Sequence, residues 1–415
     1  MSQTSQTSQT SGDTTGAPRD ERRAPGGAIR VTFALLGAAL VAAAIAADRA
    51  FFERHVLLPY YYVRPAWSPL AVRAMLVVAG LVLAAVVGPA AARRRWQWGG
   101  AVRASIALLA ALPASELVLR IVEPADARSR WARWAFNVGA LHPRYGWASR
   151  PAAATTARAG DRTFVYVTGP AGGRVRSLTS EDAAGMVDPA RRTLVVIGES
   201  IAVGFGLDYD DTFAARAGRA LDLAVVNLGE GGYAPDQAHL RLVDALPGIA
   251  HPAAVVSVFV PVALGRMLDD GYPRLRLGAD GALLFTPPAT GVWARARLRD
   301  IAVNRLPYAS DAALERALAT TGAVLRATAA AARARGARPL FVIPSTGPPR
   351  PLDTHPEAFI VRRLFVDSGL PFVVVDLGPD EIIPGDGHPN AQGARSIAEA
   401  VVRSLSDRID PKHQN

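Results

Sequence analysis

The sequence predicts a doubly wound α/β domain, with a parallel sheet of about five strands covered by helices, preceded by N-terminal transmembrane helices. Two observations carry this. From residue 193 onward, short continuous apolar runs alternate with amphipathic stretches of helical period, as a parallel sheet buried on both faces requires. Upstream lie two uncharged apolar runs close to membrane-spanning length, Val31 to Ala47 and Ala74 to Ala92. The chain of 415 residues has room for both parts.

Residues 1–27 are polar and repetitive, "MSQTSQTSQTSGDTTGAPRDERRAPGG". With almost nothing to bury, they are expected to be a disordered tail. They do not read as a signal peptide, because the apolar run begins late and no small-residue cleavage site stands out. Residues 28–122 form the expected membrane region with two or three spans. The third span, "AVRASIALLAALPASELVLRIVEP", contains Pro113, Glu116 and Arg120. Glu116 and Arg120, four apart, can pair on one helix face. Arginines cluster before the first span (Arg19, Arg22, Arg23, Arg30) and between the second and third (Arg93, Arg94, Arg95, Arg103). The positive-inside rule puts these clusters in the cytoplasm. With three spans, everything after Val122 is then extracytoplasmic, on a multi-pass protein of a bacterial cell membrane; with two, it lies inside.

The formal net charge of +10 does not point to nucleic acid. Much of it lies in the tail and the membrane flanks, where a bilayer accounts for it. Lys412 is the only lysine, and no cysteine is present. Disulfides, a thiolate nucleophile and cysteine-ligated metals are therefore excluded.

Residues 193–408 make up the α/β domain. Strands are predicted at "TLVVIGES", "LAVVNLGEGG", "AAVVSVFVP", "RPLFVIPST" and "PFVVVDLGPD". Helices are predicted at "DTFAARAGRALD", "PDQAHLRLVDAL", "DAALERALATTGAVLRATAAAARARG", "PEAFIVRRLFVDSG" and "NAQGARSIAEAVVRSLSD". Two insertions depart from this alternation. Residues 123–192 form an accessory segment with a hairpin expected over "DRTFVYVTGPAGGRVRSL". Residues 266–310 contain "PRLRLGADGALLF", with a turn at Asp280-Gly281.

Ligands of such sheets bind at the carboxyl ends of the strands, and three features should meet there. Gly198-Glu199-Ser200 follows the first strand, where a tight turn would expose the serine hydroxyl beside free backbone N–H groups. Ser200 is then either a nucleophile or a plain N-cap; Ala202 excludes the Gly-x-Ser-x-Gly elbow. "NLGEGGY" follows the second strand, with Gly229, Gly231 and Gly232 allowing close backbone approach. "GDGHPNAQG" precedes the last helix, placing Asp386 two residues before His388, where a carboxylate could orient the ring, or forming simply a turn capped by Asn390. His55, His142, His239, His251, His355 and His413 are scattered, and solvated or satisfied roles are expected for them. "NLGEGG" lacks both the G-x-G-x-x-G spacing and a phosphate-binding lysine. Neither a metal site nor a cofactor is expected, since histidines and carboxylates do not recur at ligand spacing.

These residues carry a resemblance. From about 190 to 405 the chain resembles the SGNH/GDSL hydrolases, a family of serine esterases and acyl-transfer enzymes with a flavodoxin-like three-layer fold. "GES…VGFGLDYDDTF" is similar to the family's first block, "NLGEGGYAPDQ" to its second and "DGHPNAQG" to its last. "LHPRYGWASRP" looks like the lead-in of membrane-anchored bacterial members. The resemblance implies Ser200 as nucleophile, His388 as general base and then acid, and Asp386 as its orienting carboxylate. The N–H groups of Ser200 and Gly232 would form the oxyanion hole.

Two departures matter. Val262 in "VFVPVALGR" stands where the family's third block has an oxyanion-donating Asn, and loss of one donor costs about 100- to 1000-fold in rate. The family's usual Asp-x-x-His spacing is here Asp-x-His, with Asp376 and Asp380 as alternative carboxylates. The expected function is that of a membrane-anchored esterase or deacylase acting on O-acyl esters of an envelope glycan or lipid. The alternatives are an acyltransferase of the same fold and an SGNH-like domain that binds an acylated polymer or a membrane-embedded partner. The partners expected are that acylated substrate and the membrane, without nucleic acid.

Overall fold

The computed structural model describes residues 26–46, 67–87, 89, 110–111, 113–121, 139–179, 190–268, 271–288, 296, 311–346 and 358–406. The arginine clusters before the first span and at 93–103, apart from Arg30, lie outside these residues, as do His55, His355, His413 and nearly all of the tail.

The chain divides into two compact units. In the first, helix α1 (Gly26–Ala46) and helix α2 (Trp67–Val82), which runs on into a π-helical stretch Leu83–Val87, cover much of the two expected spans. The helices touch where both carry glycine: a Cβ at Gly37 would stand 2.4 Å from the Gly80 carbonyl oxygen. Arg73 Nε donates to the Ala44 carbonyl at 2.9 Å. Leu35, Leu36, Ile45, Met75, Val78, Leu81 and Val86 are exposed. In the second unit, residues 113–121 are helical, and the expected Glu116–Arg120 pair forms at 2.7 Å. Among the described residues, no helix is long and apolar enough to cross a membrane.

The second unit holds a five-stranded parallel sheet. Its strands are β5 (Thr193–Ile197), β6 (Ala224–Asn227), β7 (Pro252–Val258), β10 (Arg338–Thr346) and β11 (Phe372–Leu377). Their spatial order is β6-β5-β7-β10-β11, all parallel. The chain therefore reverses its winding direction at β5, making a topological switch point beside that strand. All five strands predicted for this sheet are present.

Strand periodicity divides the core into two faces. Leu194 and Val196 point to one side of β5, onto helix α4 (Phe213–Ala220) and helix α9 (Ala391–Ser406). Val195 and Ile197 point to the other, onto helix α5 (Pro235–Ala245) and helix α7 (Asp311–Ala334). All five residues of β5 and all seven of β7 are buried, so apolar runs are continuous rather than alternating. Helix α8 (Ala358–Val361) continues into a π-helical stretch Arg362–Val366, packing Phe365 against Phe259 and Phe341.

Between α5 and α7, His239 is buried and its Nδ1 lies 2.9 Å from Thr328 Oγ1. Thr328 donates its own proton to the Val324 carbonyl, so His239 must be the donor through Nδ1–H. Burial, with a smaller effect of Arg144, lowers the His239 pKa to about 4. The unfolded chain therefore takes up this proton first as pH falls. The stability due to neutral His239 is full above about 6.5 and is lost on acidification toward 4, about 3 kcal/mol by linkage. Unfolding midpoints between pH 7 and 4 should fall less steeply in His239→Gln than in the parent.

The accessory segment differs from expectation. Strand β4 (Arg162–Val167) lies where the first arm of the expected hairpin was placed, but its partner is β3 (Ala154–Ala159), upstream. Gly160, at φ +55°, makes the turn between them. The downstream arm contributes only isolated bridges, Arg174 to Thr168 and to Asn227, as the Arg174 side chain turns inward. The second hairpin forms as expected, from β8 (Arg274–Leu277) and β9 (Leu283–Thr286), with Gly281 at φ +81°. It docks on α5, where the Leu275 N–H donates to Asp236 Oδ2 at 3.0 Å. Burial raises the pKa of that carboxyl.

Candidate active site

At the carboxyl end of β5, Gly198 takes φ +134°, and a Cβ there would lie 2.8 Å from the Val258 carbonyl oxygen. Only glycine lets the chain turn this close to β7. Ser200 then opens a single-turn helix, α3 (Ser200–Val203), closed by Gly204 in the left-handed region at φ +76°. The N-cap is Glu199, whose Oε1 accepts from the Ile201 N–H at 2.9 Å. Ser200 is thus the first helical residue and not the cap, which answers the local question its position raised.

His388 arrives from the loop between β11 and α9. Its Nε2 lies 2.7 Å from Ser200 Oγ, and its Nδ1 lies 2.5 Å from Asp386 Oδ1. Asp-x-His spacing suffices because Gly385 and Gly387 both adopt positive φ, +73° and +92°. The Asp386 and Gly387 N–H groups both donate to the Ile383 carbonyl, and the Ile383 N–H donates to the His388 carbonyl. This tight fold brings the carboxylate beneath its own histidine. Burial pushes the Asp386 carboxyl up, but the hydrogen bond and charge of His388 and a backbone N–H together bring it below its ordinary value. Asp376 is exposed on β11. Asp380 accepts from Gln392 Nε2 at 3.0 Å. Asn390 caps α9, accepting from the Gln392 and Gly393 N–H groups. Phe205 packs against the imidazole, ring centroids 4.6 Å apart, and Phe164 backs Phe205 edge-on.

The glycine turn after β6 is held in place by the lead-in segment. Strand β1 (Gly139–His142) and strand β2 (Gly146–Ser149) form a hairpin. Trp147 Nε1 donates to the Gly231 carbonyl at 3.0 Å, and the Tyr233 hydroxyl donates to the Trp147 carbonyl at 2.6 Å. The Ser149 N–H donates to Glu230 Oε2 at 2.7 Å. Glu230, fully buried, pairs with Arg241 Nη1 at 3.1 Å, and Arg241 Nη2 reaches the Gly172 carbonyl. Gly232 sits in this braced turn at φ +77°. Val262, buried before the short helix α6 (Ala263–Arg266), offers no side-chain donor.

Three of these residues escaped the sequence reading. Arg174 is buried below α3, donating to the Val203, Gly204 and Leu207 carbonyls and so satisfying the open end of that helix. Its burial lowers its pKa to about 10. Glu230 and Arg241 form the ion pair under the second turn. Nothing in their local sequence distinguishes them from surface charges.

The remaining histidines described have ordinary roles. His142 Nδ1 accepts from the Arg144 and Tyr145 N–H groups and its ring stacks on Tyr145. His251 is exposed. No group of side chains that could hold a metal occurs among the described residues.

No family model matches the chain, and no curated protein does. Among solved structures it is similar to a G-D-S-L family protein from Desulfitobacterium hafniense DCB-2, with 13% identity, 51% of this chain and 98% of that one covered, and a TM-score of 0.30. It is similar to an acetyl xylan esterase from the rumen bacterium Butyrivibrio proteoclasticus at 12% identity and a TM-score of 0.30, covering 52% of this chain and 64% of that one. A member of the lipolytic G-D-S-L family from Veillonella parvula DSM 2008 shows 11% identity, 51% and 97% coverage, and a TM-score of 0.30.

Proposed function

We propose that this chain is a serine esterase of the SGNH/GDSL type, acting on O-acyl esters of an envelope glycan or lipid. The observation that carries the reading is the continuous chain Asp386–His388–Ser200, with contacts of 2.5 and 2.7 Å, on the switch-point strand of a doubly wound sheet. Ser200 attacks the acyl carbonyl while His388 Nε2 takes the hydroxyl proton. His388 then gives that proton to the leaving alkoxide, and water releases the acid in a second round. Asp386 holds the imidazole with Nε2 toward the serine. The N–H groups of Ser200 and Gly232 stabilise the oxyanion, the latter from a turn braced by Trp147, Glu230 and Arg241.

Treating the full chain with a fluorophosphonate probe and with p-nitrophenyl acetate tests this. Labelling and turnover are expected in the parent. Ser200→Ala should abolish labelling, and Ser200→Ala and His388→Ala should each lower turnover by about 10⁴-fold or more. A folded parent that neither labels nor turns over would overturn the reading.

Val262 favours a second reading, a domain that keeps the fold and binds an acylated polymer without cleaving it. An acyltransferase would use the same residues, and a sugar hydroxyl in place of water would distinguish it.

A membrane setting is part of the proposal. The support is the helix pair α1–α2, joined through Gly37 and Gly80 with Leu, Ile, Met and Val side chains turned outward, an arrangement suited to lipid. With three spans, residues from 123 onward are extracytoplasmic. A periplasm-dependent reporter fused after residue 125 should then be active, and activity only from a cytoplasmic reporter would refute this orientation.

A further inference from the structure

Ser200 Oγ has two partners, not one. Besides His388 Nε2 it lies 2.5 Å from Glu199 Oε2. Glu199 is 4% exposed and its other oxygen is held by the Ile201 N–H, so the carboxylate is fixed against the hydroxyl. We infer that Glu199 acts in the reaction as a second carboxylate, bonded to the nucleophile beside His388, competing for the serine proton and stabilising the imidazolium formed on attack.

A count of protons carries the argument. The chain Asp386–His388–Ser200–Glu199 contains three hydrogen bonds and so needs three protons. One is on Nδ1 and one belongs to the serine; the third sits on either Nε2 or Glu199. With only two protons in the chain, Glu199 Oε2 and His388 Nε2 face one hydroxyl, which can donate to only one of them. Donation to Glu199 is the resting arrangement, and donation to Nε2 is the reactive one. In the reactive step the Oγ–H bond breaks and its proton goes to Nε2. The Oγ electron pair then forms the bond to the acyl carbon, and the carbonyl π pair moves onto its oxygen. As the acyl C–O bond to the leaving group breaks, Nε2–H protonates the alkoxide. The attacking Oγ then has no proton left to offer Glu199, whose carboxylate remains on the side of the imidazolium away from Asp386 and acts on it by charge.

A second negative charge at this distance favours the charged imidazole. Among the described residues, the groups bonded to or packed on His388 and Ser200 include Asp386 on its own loop, Glu199 from the end of β5, and the Phe205 ring. Arg174 lies below α3 and is bound to carbonyls. The Glu230–Arg241 pair is closed on itself beneath the neighbouring turn.

The inference rests on the hydrolase reading, so its test needs a measurement independent of turnover. The full chain, labelled with ¹⁵N-histidine, gives one imidazole titration curve per histidine, and His388→Asn identifies the curve of interest. Glu199→Gln keeps the acceptor for the Ile201 N–H and removes the charge. It is expected to move the His388 curve to lower pH by about one unit, and the acid limb of kcat/KM with it. Glu199→Asp keeps charge and cap but withdraws the carboxylate from Oγ, and a smaller shift in the same direction is expected. An unmoved His388 curve in either folded variant overturns the inference and leaves Glu199 as a helix cap. An inert parent whose His388 curve still moves would refute hydrolysis while upholding the coupling of Glu199 to the imidazole.

Discussion

Asp386→Asn is expected to lower kcat by about 10⁴-fold while leaving the fold intact, whereas Asp376→Asn and Asp380→Asn should leave it within about two-fold. The reasoning is geometric. Asp386 Oδ1 meets His388 Nδ1 at 2.5 Å, which fixes the tautomer with Nε2 free to take the Ser200 proton. An amide at that position can present its NH₂ group to Nδ1. The ring then carries its proton on Nε2, and the base is lost. Asp376 is exposed and Asp380 is bound to Gln392, so neither has this effect on the ring. Steady-state kinetics on p-nitrophenyl acetate for the three variants decides the matter, and equal losses in all three would remove Asp386 from its role.

Arg241→Met is expected to cost about 3–5 kcal/mol of stability and to lower activity as well. The side chain of Glu230 is 0% exposed and that of Arg241 is 6% exposed. Removing the cation leaves a carboxylate buried without its ionic partner, and this costs far more than the pair contributes. The damage would not stay local. Glu230 accepts from the Ser149 N–H and hydroxyl, so it ties the β1–β2 hairpin to the turn carrying Gly232. The double variant Glu230→Gln/Arg241→Met removes both charges while leaving an acceptor for Ser149. It should therefore recover about half of the lost stability. Urea unfolding of the single and double variants measures this. A single variant as stable as the parent would mean the pair is not buried in solution.

Much of the sheet was legible locally. The continuous runs "LVVI" and "AAVVSV" are buried on both faces, and that burial is what suppresses alternation in their sequence. The turn at Asp280-Gly281 was legible because Gly281 needs a positive φ. The partner of β4 was not. "ATTARA" carries no stronger strand signal than "GRVRSL", and the choice was made by Arg174, whose guanidinium is buried under the end of α3.

The sequence by itself determined the parallel α/β sheet and its five strands, because these follow from periodicity and from turns of a few residues, while Ser200 and His388 were singled out by the resemblance to the SGNH/GDSL hydrolases. Only the tertiary structure shows that Asp386 Oδ1 lies against His388 Nδ1, that Glu199 reaches the same hydroxyl as His388, and that Glu230, Arg241 and the distant Trp147 brace the second turn. Those contacts join residues separated by as many as 86 positions. Their energies come from burial and charge pairing, quantities that a local stretch of chain does not possess until the rest has folded around it.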